Sequence, residues 1–311
     1  MKSNANSKFR NGLICAILAQ VLWGCFPLYV SLIKQIDQVD SEDFVAHRSI
    51  WSFGFLISVF LVSRYFSHPL LPQMSELSSS IRSPKVLGLS LLASILIAIN
   101  WLAFVWAVAN NQILNASLGY YICPLVVVLL GVLFLHEQLS VLKWIAVGLA
   151  TIGVSYMSFS AKGVPAVALI IAVSFGLYGL VKNQTRVSAL GGLTLETAIL
   201  LIPAIAYLVY RIATSESNLL AMPPWAYLVL LGSGPATIAP LALYAAAVKH
   251  VPLSTVGFFQ CIGPTLQFFM GYFVLPEPLD LSRLVGFSIV WIGVGVFLVA
   301  MHQDRKSAMD S

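Results

Sequence analysis

Read as a string of apolar and polar positions, the chain alternates long apolar runs with short polar interruptions. Ten runs stand out: 12–33, 43–63, 86–108, 115–135, 140–159, 164–181, 193–211, 225–248, 253–275 and 282–301. Each is close to the roughly 20 helical residues that span a hydrocarbon core of about 30 Å. The runs are apolar on every side and longer than the alternating ten-residue strands of a β-barrel, so helices are the elements that satisfy the backbone in lipid. The pattern predicts an all-α polytopic membrane protein of ten transmembrane helices.

Composition agrees. Hydrophobic residues make up 59% of the chain and charged ones 9%, against about 25% charged in soluble domains, which leaves too little polar surface to coat a globule in water. The first run follows Lys2, Lys8 and Arg10 as a signal peptide would, but it is too apolar for too long and no small-x-small site follows, so it reads as a retained helix. Cys15, Cys25, Cys123 and Cys261 all fall within runs and lack metal-type spacing, which makes them small packing residues.

Basic residues set the orientation. With the amino terminus in the cytoplasm, the inside holds Lys2, Lys8, Arg10, Arg64, Arg82, Lys85, Lys143, Lys182, Arg186, Lys249, Arg305 and Lys306, and the outside only Lys34, Lys162, Arg211 and Arg283. That asymmetry fits the positive-inside rule and puts both termini in the cytoplasm. The net charge of +5 therefore describes orientation in a bilayer and does not argue for nucleic-acid binding.

The chain also repeats itself. At an offset of 140 residues Pro124 meets Pro264, Gly131 meets Gly271, Glu137 meets Glu277, Lys143 meets Arg283 and Gly153 meets Gly293; at 138, Trp106-Ala107 meets Tyr244-Ala245 and Gly119 meets Gly257. The organisation is a tail (1–11), a five-helix half (12–159), a second five-helix half (164–301) and a tail (302–311). Five is odd, so the halves run through the bilayer in opposite directions. Inverted repeats are an architecture of secondary transporters, in which one half rocks against the other around a central site.

Candidate chemistry lies inside the membrane. Arg48, the sixth residue of the second run, either snorkels to the outer interface or faces a cavity as an anion-binding group. His47 stands one turn from Asp43 and reads as its local partner or as a proton relay. Glu196, early in the seventh run, belongs near the cytoplasmic face, about 15 to 20 Å from Arg48 along the normal, so each charge would guard one mouth of a pathway. Gln20, Asn100, Tyr120, Tyr121, Gln260 and Gln267 are costly in hydrocarbon and should face the interior, bridging helices or binding substrate. Trp23 and Trp101 could wall a cavity, whereas Trp106 suits an interfacial belt. Pro27, Pro124, Pro203, Pro235, Pro240 and Pro264 interrupt helices, and kinks at the repeat-equivalent Pro124 and Pro264 are the candidate moving elements. Gly148, Gly153, Gly286, Gly293 and Gly295 suggest close-approach surfaces on two peripheral helices. Glu137 and Glu277 suit the positive start of the helix that follows each.

No HExxH, Gly-x-Ser-x-Gly or P-loop is present, and His47, His68, His136, His250 and His302 are scattered. Neither catalysis nor a nucleotide motor is indicated, and no cofactor is expected. Uphill movement would draw on a proton or other ion gradient, or on exchange.

The runs Asn100-Trp101-Leu-Ala-Phe-Val-Trp106, Asn115-Ala-Ser117-Leu-Gly119-Tyr120, Ala46-His47-Arg48-Ser-Ile-Trp51-Ser52 and Gly257-Phe-Phe-Gln260-Cys-Ile-Gly263-Pro264-Thr265 resemble the RarD branch of the EamA-type drug/metabolite transporters over essentially the whole chain. The resemblance implies a ten-helix bacterial inner-membrane permease whose helices 1 to 4 and 6 to 9 surround a central cavity, with 5 and 10 to the side. Its members are named as chloramphenicol-sensitivity proteins. One departure stands out: the family usually has Gly-Glu after the fourth helix of each half, where this chain has His136-Glu137 and Pro276-Glu277, which puts a tight turn in question. The expected function is alternating-access transport of small metabolites or drugs, with export as the expected direction and import as the alternative, and with Arg48, Asn100, Trp101, Tyr120, Tyr121, Gln20 and Gln260 on the substrate. His47, Glu196, Pro124 and Pro264 would serve gating or coupling. A channel or a membrane-embedded enzyme are the rival classes, and the oligomeric state is not readable.

Overall fold

The computed structural model describes residues 2–33, 36, 39–65, 81–110, 113–160, 166–185, 187–214, 222–273 and 281–310. Glu277, with Pro276, Lys34, His68, Lys162 and Arg186, lies outside the described residues. The helices are α1 (Lys2–Ile33), α2 (Ser41–Tyr65), α3 (Pro84–Ala109), α4 (Ile113–Leu135), α5 (Val141–Ser160), α6 (Ala166–Gln184), α7 (Ala189–Ala213), α8 (Pro224–Ala247), α9 (Leu253–Phe259), α10 (Ile262–Phe273) and α11 (Leu281–Asp310). Among the described residues, nine helices are long and apolar enough to cross a membrane. Large apolar side chains such as Leu102, Leu133, Phe134 and Ile202 cover the outside of the bundle, while serines, amides and charges are buried within. That inversion of a soluble protein's polarity is what lipid demands. The chain is a multi-pass, all-α membrane protein.

The ninth expected span is not one helix. It breaks at Gln260-Cys261 between α9 and α10. Pro264 has no N–H to return to the Gln260 carbonyl, and its ring crowds that same carbonyl. The chain responds with a tightened turn, in which Gln260 N–H is shared by the Val256 and Gly257 carbonyls and Cys261 N–H goes to Phe258. Pro124, its repeat mate, leaves α4 continuous, so the two prolines act differently.

The helix pairings map onto themselves when the halves are exchanged. α1 packs on α8 as α6 packs on α3, and α1 on α10 as α6 on α4; α2 with α7, α4 with α9 and α5 with α11 are self-paired. Single residues repeat the relation. Gly24 abuts Leu266 of α10, and Gly176 abuts Val126, which is 140 residues before Leu266. Gly153 meets the Gly286 carbonyl while Gly293, the mate of Gly153, meets the carbonyl of Ala146, the mate of Gly286. Along this interface one helix's numbers rise as the other's fall, so α5 and α11 are antiparallel although they are equivalent in sequence. Repeat mates that pack antiparallel are the geometry of an inverted duplication. Lys143 at the start of α5 pairs with Asp304 near the end of α11 at 2.6 Å, as this sense requires. Gly148 and Gly295 have open space beside them and are not part of the close approach.

At the end of α4, His136 has φ 53°, the only positive φ of a non-glycine residue among those described. The tight turn that a glycine would ease is therefore made by histidine, one of the residue types that tolerate this region. The turn delivers Glu137 across the molecule. Its carboxylate accepts the Leu253 N–H (2.5 Å) and the Ser254 N–H (2.9 Å) at the start of α9. The expectation that Glu137 serves the helix following it is corrected: it caps a distant helix of the other half.

Candidate functional site

α2 carries Arg48 inward. Its guanidinium carbon lies 4.1 Å from the centre of the Trp101 ring on α3 and 5.4 Å from that of Phe26 on α1, and Nε donates to Thr237 Oγ1 on α8 at 3.2 Å. Tyr29 and Tyr120 stand near enough to interact electrostatically with it. Four helices thus build a half-buried, aromatic-walled cation inside the bundle. Among the described residues no carboxylate pairs with it.

Two turns further along α3 is a second charged group. Glu196 on α7 takes the Lys182 Nζ of α6 at 2.6 Å and the Tyr178 hydroxyl at 3.1 Å, and Ser94 of α3 donates to its backbone carbonyl. Lys182 is 1% exposed and Glu196 3%. Lys182, expected as a cytoplasmic loop charge, is instead buried, because α6 runs on to Gln184 and the short link capped by Ser188 folds α7 straight back beside it. Glu196 and Arg48 make no contact with each other, as their expected depths required. Their neighbours on α3, Ser94 and Trp101, are seven residues apart, about 10 Å along the helix at 1.5 Å per residue.

Between the two charges lies an aromatic plug. Trp23 of α1 meets Phe175 of α6 edge-on with centroids 5.4 Å apart; Phe175 contacts Tyr244 of α8 at 5.1 Å, and Tyr244 stacks on Tyr178 at 6.4 Å. Gly179 makes room for this packing, since a Cβ there would stand 2.1 Å from the Tyr244 hydroxyl. Gln260, at the helix break, accepts the Cys123 thiol at 3.5 Å. Gln20 rests its carboxamide oxygen against Gly263, and Gln267 donates to the Trp23 carbonyl at 3.0 Å.

The other candidates fall elsewhere. Asn100, 2% exposed, donates to the Ile171 carbonyl (2.9 Å) and Ser174 Oγ (3.2 Å), bridging α3 to α6. Tyr121 points away from Arg48, donating to the Pro264 carbonyl at 3.4 Å and meeting Phe287 edge-on, beside a small apolar crevice between α4, α5, α10 and α11. His47 does not pair with Asp43. The Asp43 carboxylate turns to Arg211 of α7 (3.4 Å), which also holds Asp40 at 2.6 Å, because a fixed guanidinium fork is a stronger partner than an imidazole one turn away. Trp106 faces the outside, where a belt residue belongs. No group of histidine, cysteine and acidic side chains among the described residues could hold a metal.

Known proteins share this arrangement of helices. The sequence profile of the EamA-like transporter family matches residues 10–159. An uncharacterised transporter of Pseudomonas aeruginosa is 38% identical over 94% of this chain and 95% of its own. The uncharacterised transporter YojE of Bacillus subtilis is 40% identical over 97% and 98%, and protein RarD of Escherichia coli 36% identical over 96% and 98%. A solved crystal structure with 16% identity superposes with a TM-score of 0.66, covering 96% of this chain and 99% of the other, a likeness of fold.

Proposed function

The chain belongs to the RarD branch of the EamA-like transporters, and from that premise we propose that it carries small organic acids through the membrane by alternating access, with Arg48 as the anion-binding group. One contrast carries the reading. Among the described residues, Lys182, Lys143 and Arg211 each meet a carboxylate of the protein, whereas Arg48 meets none. An unneutralised cation in a water-poor interior is costly, and a substrate carboxylate or phosphate would remove that cost. The indole face and the Thr237 hydroxyl hold the guanidinium in one orientation, which leaves its outer N–H groups for a bidentate anion.

The two ends differ in closure, which supports a transport cycle. The Arg48 group is half-buried, while Tyr178, Tyr244, Lys182 and Glu196 are sealed. With the amino terminus in the cytoplasm of a bacterial inner membrane, the aromatic plug and the Lys182–Glu196 pair would form the inward seal, and the less tightly closed Arg48 group would lie on the outward side. Rocking the halves about the exchange axis would part the plug and seal the Arg48 side. A thermal-shift screen of purified protein against amino acids, organic anions and chloramphenicol tests the reading, because a ligand of the folded state raises the melting temperature. Organic anions should raise it for the natural chain and not for Arg48→Gln. Equal shifts in both proteins would discard the role.

A further inference from the structure

The aromatic plug hides polar groups that a core does not need. Tyr244 is 0% exposed and Gln260 5%, and the Tyr244 hydroxyl interacts with the Gln260 carboxamide, but the geometry gives neither Tyr244 Oη nor Gln260 Nε2 a well-formed hydrogen bond. The Gln260 backbone carbonyl, whose helical donor would be the missing N–H of Pro264, lies at the same helix break. Buried polar groups without a well-formed hydrogen bond call for an explanation, a ligand among them, and in transporters interrupted helices mark ligand stations. The neighbouring groups are a hydroxyl, an amide and the Cys123 thiol, with Tyr178 committed to Glu196. No formal charge is on offer. The set suits a neutral group that both donates and accepts, such as a carboxamide or hydroxyl.

We propose that Tyr244 and Gln260 form a second, inner ligand station that holds a neutral amide or hydroxyl of the substrate while Arg48 holds its acidic group. On α8 the two stations are marked by Thr237 and Tyr244, seven residues apart, about 10 Å along the helix. Phe26 beside Arg48 and the Trp23–Phe175 ring pair supply apolar surface to this part of the bundle. The substrate class is therefore an elongated organic acid with a neutral polar far end and an apolar middle. In the closed plug the station is covered by aromatic rings, so it fills only when Tyr244 and Phe175 move aside. The inference rests on the Arg48 reading and adds the second contact point.

Cys123 is a natural reporter, since it touches Gln260. In protein whose Cys15, Cys25 and Cys261 are changed to alanine, reconstituted in vesicles, a small neutral thiosulfonate should label Cys123 slowly. The eight-carbon acid amide suberamic acid should slow that labelling about tenfold more than octanoic acid at equal concentration, the value of one to two hydrogen bonds. Equal protection by both acids would overturn the inner station and leave the transport reading standing. Failure of Cys123 to react under any condition would mean that the interior never opens, and both would fall. A second measurement needs no cysteine-depleted protein: Tyr244→Phe and Gln260→Leu should each raise the melting temperature of the ligand-free chain, because each removes a buried donor that lacks a well-formed hydrogen bond. A fall in both would mean that these groups make a structural bridge, and would overturn the proposal.

Discussion

The guanidinium carbon of Arg48 lies over the Trp101 indole, 4.1 Å from its ring centre. This contact fixes an otherwise flexible side chain from α2 against α3, and it replaces part of the lost hydration with the ring's negative face. Among the described residues no carboxylate completes the site, which is why an external anion is the proposed partner of the guanidinium.

Replacing Trp101 by leucine keeps apolar bulk and removes the ring quadrupole. Cation–π contacts of this kind are worth about 0.5–2 kcal/mol, so affinity for an organic anion should weaken about threefold to thirtyfold, and Trp101→Phe should weaken it less. Half-saturation constants for uptake into proteoliposomes check the order natural, phenylalanine, leucine.

The Lys182–Glu196 pair should be intolerant of single changes. Lys182→Met leaves a buried carboxylate and Glu196→Leu a buried ammonium, each costing about 3–5 kcal/mol. The double variant should regain most of that loss, since apolar replacement of both partners is often neutral. Melting temperatures of the four proteins, arranged as a double-mutant cycle, measure the coupling. A double variant as unstable as the sum of the singles would show that the pair contributes nothing as a pair.

Much of this molecule was legible in its sequence, and the gaps have physical causes. The apolar runs, the offset of 140 and the burial of Gln20, Asn100 and Gln260 follow from polarity and periodicity, which lipid enforces strictly, while polarity alone does not decide whether Arg48 snorkels or turns inward. The Lys182–Glu196 pair was not foreseen because helix ends are uncertain by a few residues, and two residues decide whether a lysine is in a loop or in the bundle. Tyr244 and Tyr178 look like ordinary apolar-face tyrosines until the fold stacks them. One signal was available: Trp23-Gly24-Cys25-Phe26-Pro27 and Phe175-Gly176-Leu177-Tyr178-Gly179 are similar strings at a shift of 152. Phe26 lies beside Arg48 and Tyr178 beside Lys182, so each half presents an aromatic ring to a basic side chain. The pairing of Asp43 with Arg211 instead of His47 joins residues 168 apart, and no local spacing rule reaches that far.

Glu137 and His136 act as a unit. Glu137→Gln should cost about 1–2 kcal/mol by weakening two charge-assisted caps, with faster hydrogen exchange confined to the amides of Leu253 and Ser254. His136→Val should cost about 1–2 kcal/mol because a branched side chain suits the left-handed region poorly, whereas His136→Gly should not. Thermal unfolding compares the three variants.

His250, in the turn between α8 and α9, titrates below its ordinary value of about 6.5, first because burial disfavours the charged ring and then because Lys8 and Lys249 stand near. The unfolded chain therefore takes up the proton before the folded one does. This contribution to stability is present above about pH 6.5 and falls away as the pH drops toward the folded value. Melting curves from pH 7.5 to 5 should decline for the natural chain and decline less for His250→Gln.

The most direct test of the account is exchange of a radiolabelled organic anion, selected by the thermal-shift screen, across vesicles containing natural protein or Arg48→Gln. Transport through one alternating site predicts saturable uptake accelerated by unlabelled anion on the far side, and a loss of about tenfold or more in Arg48→Gln while its melting temperature is retained. Uptake in Arg48→Gln with unchanged half-saturation and unchanged acceleration would contradict it.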